Sequence, residues 1–489
     1  MDPVTTSRTD TPPKDTSFFG HPRPLASLFG VEMWERFSIY GMQGILLIYL
    51  YYSVADGGLG IEQSTAAGIV GAYGGGVYLA TIIGAWVADR VLGPERTLFY
   101  SAAVVMLGHI ALALVPDIPG VAIGLVLIAL GSGGVKANAS SLVGSLYAED
   151  DERRDGGFSL FYMGINLGAF FGPLLTGVLR DELGFHFGFG LAAIGMAIGL
   201  TQYALGRRRR PAGTKVAPHP LTPAERARYA ALAAVAVVVI AALLMVGLVT
   251  AENLSDVVIG VISVAAVGYF VVMLSSRAIS TVERRRVWSF VPLFVANAVF
   301  WSLYQQQFTV VTIYSDKRLD RDLFGWEMPV SWVQSINPVF IIALAPVFAA
   351  IWTKLGPRQP STPVKFGVGT VLMGVAFLLF LLIPDGRNTA PLLALAGVLL
   401  AFTVAELFIS PIGLSLSTKL APRRFTTQMV ALYFLSVALG TAMSGELARF
   451  YDWTDETGYF LVLGLVAVGV GLVLLAATRP IRKLMSGVH

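Results

Sequence analysis

Fourteen long apolar runs follow one another through this 489-residue chain. A helix needs about 20 mostly apolar residues to cross the hydrocarbon of a bilayer. The runs are read at roughly 28–53, 64–90, 97–115, 120–147, 157–179, 187–206, 226–250, 254–275, 287–314, 329–354, 365–384, 390–418, 425–449 and 457–478. In lipid every backbone N–H and C=O must be bonded within the structure, so such a series dictates an all-α polytopic membrane protein with 14 transmembrane helices. Charged residues make up only 13% of the chain, about half the share of a soluble domain. The 52 glycines fit, because small residues let membrane helices approach closely.

An even number of spans puts both termini on one side. Of the 35 lysines and arginines, six fall on the opposite side: Arg180, Lys317, Arg318, Arg321, Arg387 and Arg449. Arg36 and Lys136 lie inside predicted helices. The rest lie on the side of the termini, among them "RRRR" at 207–210, "ERRR" at 283–286, "APRR" at 421–424 and "RPIRK" at 479–483. That bias places both termini in the cytoplasm of a cell (inner) membrane. Residues 1–26 lack the apolar core of a cleaved signal and read as a short disordered tail.

A weak internal repeat divides the chain. "GAWVADRVLGPERTLFY" (84–100) and "AAIWTKLGPRQPSTPVKFG" (349–367) are both cytoplasmic connections with a Leu-Gly-Pro turn flanked by charge. Two similar halves of six helices are a transporter architecture. The domains are therefore a cytoplasmic tail (1–26), an N-terminal six-helix bundle (27–206), a cytoplasmic linker with an inserted helix hairpin (207–286), a C-terminal six-helix bundle (287–478) and a second tail (479–489). The hairpin carries Glu252 and Asp256 near its turn and reads as a packing insertion without chemistry.

Several functions are excluded at once. With no cysteine there is no disulfide, thiolate metal site or cysteine nucleophile, and five scattered histidines lack metal-ligand spacing. An intramembrane enzyme would want a Ser/His or paired-Asp constellation at membrane depth, and none is present. The net charge of +4 needs no nucleic acid to explain it. No cofactor is expected other than the proton as coupling ion, and a monomer suffices.

The informative residues are the charges within the spans, since each costs several kcal/mol unless it is paired or lines a wet cavity. In "VEMWERFSIYG" (31–41), Glu32, Glu35 and Arg36 occupy neighbouring faces of one helical turn, and Tyr40 extends the stripe. The bland alternative is a cluster snorkelling to the headgroups. The functional reading is a proton-exchange set: one base satisfies only one acid at a time, so the other is free to carry a proton. Lys136 follows three glycines in "GSGGVKANASS", where a neighbouring backbone can approach closely. Glu406 in "FTVAELFISPIGLS" is alone in its span, and Pro411 frees a carbonyl and kinks the helix. Asn166 and Asn337 are mid-helix amides, "QQQ" at 305–307 is unusually polar, and Tyr78 follows three glycines. Asp89 and Arg90 read as locks of a cytoplasmic loop.

These stretches resemble the signatures of the proton-dependent oligopeptide transporter family. "EMWERFSIYG" is similar to its E-x-x-E-R-F-x-Y-Y-G motif. "GAWVADRVLG", "GSGGVKAN", "FSLFYMGINLGAF" and "AELFISPIGLS" resemble its later motifs in the same order, and the likeness spans about residues 25–480. The resemblance implies a major-facilitator fold, two six-helix bundles around a central cavity plus a two-helix insertion, importing di- and tripeptides with protons. It implies that Glu32, Glu35, Arg36 and Lys136 couple protons. It further implies that Tyr40, Tyr78, Lys136, Asn166, Gln305, Asn337, Glu406, Ser410 and Tyr433 line the substrate site, Glu406 facing the peptide's ammonium and Lys136 its carboxylate. Four positions depart from the pattern. Ile39 stands for a tyrosine, Tyr433 for a tryptophan and Gln43 for the arginine of many members, and Gln305 stands near the place of a glutamate, so the ion pair of the last two is replaced by neutral amides. The alternative is the same fold with another substrate: nitrate, amino-acid conjugates or peptide-like drugs.

Overall fold

The computed structural model describes residues 15–148, 151–207 and 212–488. Most of the first tail (1–14), part of the acidic loop (149–150), Arg208 to Arg210 of the basic run and the side chain of Pro411 lie outside the described residues. Among the described residues sixteen α-helices follow in order: α1 (Pro24–Tyr51), α2 (Gln63–Val87), α3 (Pro94–Leu114), α4 (Asp117–Gly144), α5 (Arg154–Leu183), α6 (Phe185–Gly206), α7 (Pro223–Met245), α8 (Leu254–Ser275), α9 (Thr281–Tyr304), α10 (Val310–Lys317), α11 (Ile336–Leu355), α12 (Thr362–Leu379), α13 (Leu392–Leu420), α14 (Thr426–Ala448), α15 (Thr457–Ala476) and α16 (Thr478–Met485). Among the described residues, thirteen segments are long and apolar enough to cross a membrane. The fourteenth span is α1, 28 residues long, whose hydropathy is lowered by the very charges that mark it, Glu32, Glu35 and Arg36.

Local chemistry explains where these helices begin. Pro94 opens α3 after Gly93, which turns the chain at φ 81°. The matching connection in the second half repeats the device, with Gly356 at φ 47° before Pro357. Thr222 with Glu225 and Ser280 with Glu283 form reciprocal capping boxes that start α7 and α9.

Helices α1–α6 pack into one bundle, α9–α15 into another. The hairpin α7–α8 lies outside both: α8 rests on α2 and α14, and α7 buries no side chain. It is pinned at both ends. Near the chain termini, His219 contacts Asp89 at 2.8 Å and Arg90 pairs with Glu225 at 3.2 Å, so those two loop residues do act as a lock. At the far end Ser255 donates to Glu446 at 2.6 Å and Arg449 to the carbonyl of Glu252 at 3.2 Å.

The ninth run, expected as one helix over 287–314, is broken. Between α9 and α10, Gln305–Phe308 form a tighter 3-10 turn at membrane depth. Backbone freed by the break needs partners. The carbonyl of Gln307 accepts from Thr312 Oγ1 at 3.1 Å and from Gln334 Nε2 at 3.2 Å. The triple glutamine is thus the polar lining of a helix break.

The bundles are joined at the end opposite the termini. Ser331, Trp332 and Ser335, in and beside a 3-10 turn before α11, donate to the carbonyls of Pro173, Leu174 and Phe170 at 2.7–3.1 Å. Tyr51 and Tyr52 both donate to Asp316 of α10, Tyr51 at 2.7 Å. Helices α2 and α14 approach so closely that a Cβ on Gly71 would stand 2.5 Å from the Cα of Gly445. Only a pair of glycines permits this contact.

Candidate functional site

Glu32, Glu35 and Arg36 form one charged cluster on α1. Arg36 donates to Glu32 Oε1 through both Nε, at 2.9 Å, and Nη2, at 2.6 Å. Glu35, fully buried, lies 3.4 Å from the same Nε through its Oε2. Its Oε1 accepts from Ser132 of α4 at 2.7 Å. The Oε2 atoms of Glu32 and Glu35 are both buried without a hydrogen-bond donor.

Lys136 does not join that pair as an ion-pair partner. Its Nζ stands 4.3 Å above the Tyr78 ring, within electrostatic reach of Glu32, Glu35 and Arg36. The aromatic face holds the cation without neutralising it.

The second cluster is built on the C-terminal bundle. Tyr304, the last residue of α9, donates to Glu406 Oε2 at 2.7 Å and lies 3.2 Å from Asn337 Oδ1. Asn337 Nδ2 donates to Thr403 Oγ1 at 2.9 Å. Three helices thus fix one carboxylate. Phe300, Trp301 and Phe402 pack around the Tyr304 ring, with centroids 5.1–6.4 Å away.

Tyrosines join the two clusters. Tyr40 and Tyr78 are each within electrostatic reach of Arg36 on one side and Glu406 on the other. Tyr162 and Tyr433 also reach Glu406. Tyr162, in the first third of α5, is 44% exposed. The Tyr433 ring lies against Gly413, where an added Cβ would come within 2.4 Å of it. Opposite charges from the two halves thus flank the same tyrosines.

The remaining expected residues sit less directly. Asn166 is buried and donates to the carbonyl of Tyr162 on its own helix at 2.9 Å. Gln305 is buried in the helix break. Ser410 lies one turn beyond Glu406 on α13, half-buried. Gln43 is half-buried on α1 and Ile39 buried. Sequence reading missed Ser132 and Tyr304, both of which touch a key carboxylate. Ser132 stood inside the quoted "GSGGVKAN". Tyr304 adjoins the triple glutamine, the one signal that could have drawn attention to it. Among the described residues no group of His, Asp and Glu could hold a metal ion.

Comparison with known proteins is consistent along the whole chain. A model of the POT family matches residues 95–470. The di-/tripeptide transporter of Lactococcus lactis subsp. cremoris is 40% identical, over 97% of this chain and 99% of its own. The crystal structure of peptide transporter POT in complex with sulfate has a TM-score of 0.93 and 44% identity, covering 97% of this chain and 98% of that one. A mutant of peptide transporter POT in complex with alafosfalin has a TM-score of 0.92 and 45% identity, covering 96% and 97%.

Proposed function

This chain belongs to the POT family, and from its charged chamber we infer that it imports di- and tripeptides together with protons by alternating access. Its fold is that of the major-facilitator transporters. The observation that carries the reading is the pair of tyrosines, Tyr40 and Tyr78, within reach of Arg36 in one half and Glu406 in the other.

A dipeptide is a zwitterion with its charges about two residues apart. Lys136 with Arg36 would take its carboxylate and Glu406 its ammonium. Such pairing offsets the desolvation of both charges while the peptide's side chains rest in watery, loosely specified space. Broad tolerance of side chains follows. The proton goes to Glu35 or Glu32, weakening their hold on Arg36 and freeing positive charge for the peptide carboxylate. The membrane potential supplies about 2.3 kcal/mol per elementary charge per 100 mV, enough to drive uptake of a net positive complex. Both termini lie in the cytoplasm in this reading, and the far end, sealed through Asp316 and the 3-10 turn before α11, is the outer gate. One chain holds both halves, so a monomer suffices.

The test is uptake of labelled dialanine into liposomes under an inward proton gradient. Unlabelled di- and tripeptides should compete and nitrate should not. Glu35→Gln should abolish acid-driven accumulation while sparing counterflow exchange. Retained accumulation would refute the coupling role, and failure of dialanine to compete would refute the substrate.

A further inference from the structure

The two halves share a Leu-Gly-Pro connection, yet they neutralise its basic surroundings differently. In the N-terminal half the chain supplies its own acids. Arg90 pairs with Glu225 at 3.2 Å, and Arg207 donates to Glu95 at 2.6 and 3.2 Å. In the C-terminal half the corresponding turn, Gly356–Arg358, opens onto a pocket of about 680 Å³. Its lining includes Lys365 of α12, Lys419 of α13 and Arg482 of α16, with Gln359, Thr362 and Ser415. No carboxylate is among its described lining residues.

Lys365 is the telling member. It is buried at 7% exposure, which is costly for an ammonium without a counter-charge. Its Nζ donates to the neutral amide of Gln359 at 2.8 Å and stands 4.2 Å above the Trp352 ring. Neither contact neutralises it, and Lys419 is close enough to repel it. Neither Lys365 nor Arg482 makes an ion pair among the described residues. The first turn of α12 adds its positive dipole end, since Ser361 at the N-cap offers no side-chain cap. The pocket sits where α12 begins and α13 ends, the level at which spans leave the hydrocarbon.

We propose that this pocket of Lys365, Lys419 and Arg482 binds a phosphate-bearing anion, either the headgroup of an acidic phospholipid or free phosphate. Basic pockets between helices on the cytoplasmic side of membrane proteins suit such groups. The site is separate from the transport chamber, so it stands or falls independently of the peptide reading.

The test uses the full-length protein in detergent, with thermal unfolding followed on titration of dioleoyl-phosphatidylglycerol, dioleoyl-phosphatidylcholine or inorganic phosphate. Phosphatidylglycerol should raise the Tm in a saturable way and phosphatidylcholine should not. Lys365→Gln should weaken the half-saturating concentration by about fivefold, as expected for removing one cation near an anionic lipid. Arg482→Gln, on the exposed terminal helix, should do the same and guards against a folding defect in the first variant. An equal response to inorganic phosphate at matched anion concentration would identify the soluble source. No shift in the wild type, or the same titration in both variants, would overturn the proposal.

Discussion

Replacing Tyr304 by phenylalanine removes one oxygen and tests how Glu406 is prepared for its substrate. The phenol donates to Glu406 Oε2 at 2.7 Å. Two effects oppose each other. Losing a hydrogen bond to a charged group forfeits about 1.5–3 kcal/mol of interaction. The chamber is open beside Tyr162, however, so water can replace the phenol and recover most of it. What water cannot replace is orientation. An immobilised side chain of this kind costs about 0.5–1.5 kcal/mol to order, and in the variant that cost falls on the binding step. Tyr304→Phe should therefore raise the apparent KM for dialanine by about two- to tenfold, with Vmax within about twofold. Liposome uptake with competition by free and N-acetylated dialanine measures this. The N-acetylated peptide lacks the ammonium, so its weak inhibition should not change. An unchanged KM, or an equal shift for both peptides, would refute the positioning argument; a falling KM would mean that Tyr304 competes with the substrate.

Three further outcomes follow from the same coordinates. Ser132→Ala removes the 2.7 Å donor to buried Glu35 and should change the pH dependence of uptake, measured as initial rate against external pH, while leaving counterflow intact. Asp316→Asn weakens the acceptor shared by Tyr51 and Tyr52, so the far end should open more often. Because the chain contains no cysteine, a single cysteine introduced near the chamber gives a clean labelling readout, and the variant should label faster from the far side. Gly445→Val places a branched side chain where a Cβ already falls 2.7 Å from the Cα of Gly71. It should disfavour the far-end-closed state and reduce uptake at least tenfold, without loss of membrane insertion by protease-protection assay.

Elements whose cause is local were readable from sequence. Every long span came from apolar length, and the Leu-Gly-Pro turns from Gly93 and Gly356, which the structure shows with positive φ. The charge cluster of α1 was readable because Glu32, Glu35 and Arg36 share one helical turn. What escaped depends on distance along the chain. Ser132 meets Glu35 across 97 positions, and Tyr304 meets Glu406 across 102. No periodicity announces such meetings, and a serine or tyrosine inside a span is ordinary in itself. The break at Gln305–Phe308 was hidden because the flanking apolar residues sustain the helical pattern, while the partner that stabilises it, Gln334, lies on another segment. Lys136 was expected to act with the acids; the structure seats it on the Tyr78 ring, within electrostatic reach of Glu32 and Glu35.

The far-end seal also bears on whether a small substrate can work this machine. Its hydrogen bonds are few: two phenols on Asp316, and Ser331, Trp332 and Ser335 on the carbonyls of α5. Each neutral bond contributes about 0.5–1.5 kcal/mol net, and those to a carboxylate about twice that. The polar seal is then on the order of 5–10 kcal/mol, part of which water returns when it opens. Reversing a two-state population from 1:99 to 99:1 takes about 5.5 kcal/mol of differential binding. A zwitterion held by one charge-assisted contact at each end gains about 3–6 kcal/mol, and only where the two halves are close enough for both contacts at once. The two magnitudes match. Polar side chains bonded to backbone carbonyls can be rehydrated when the gate opens, which gives a physical reason for such bonds at this end.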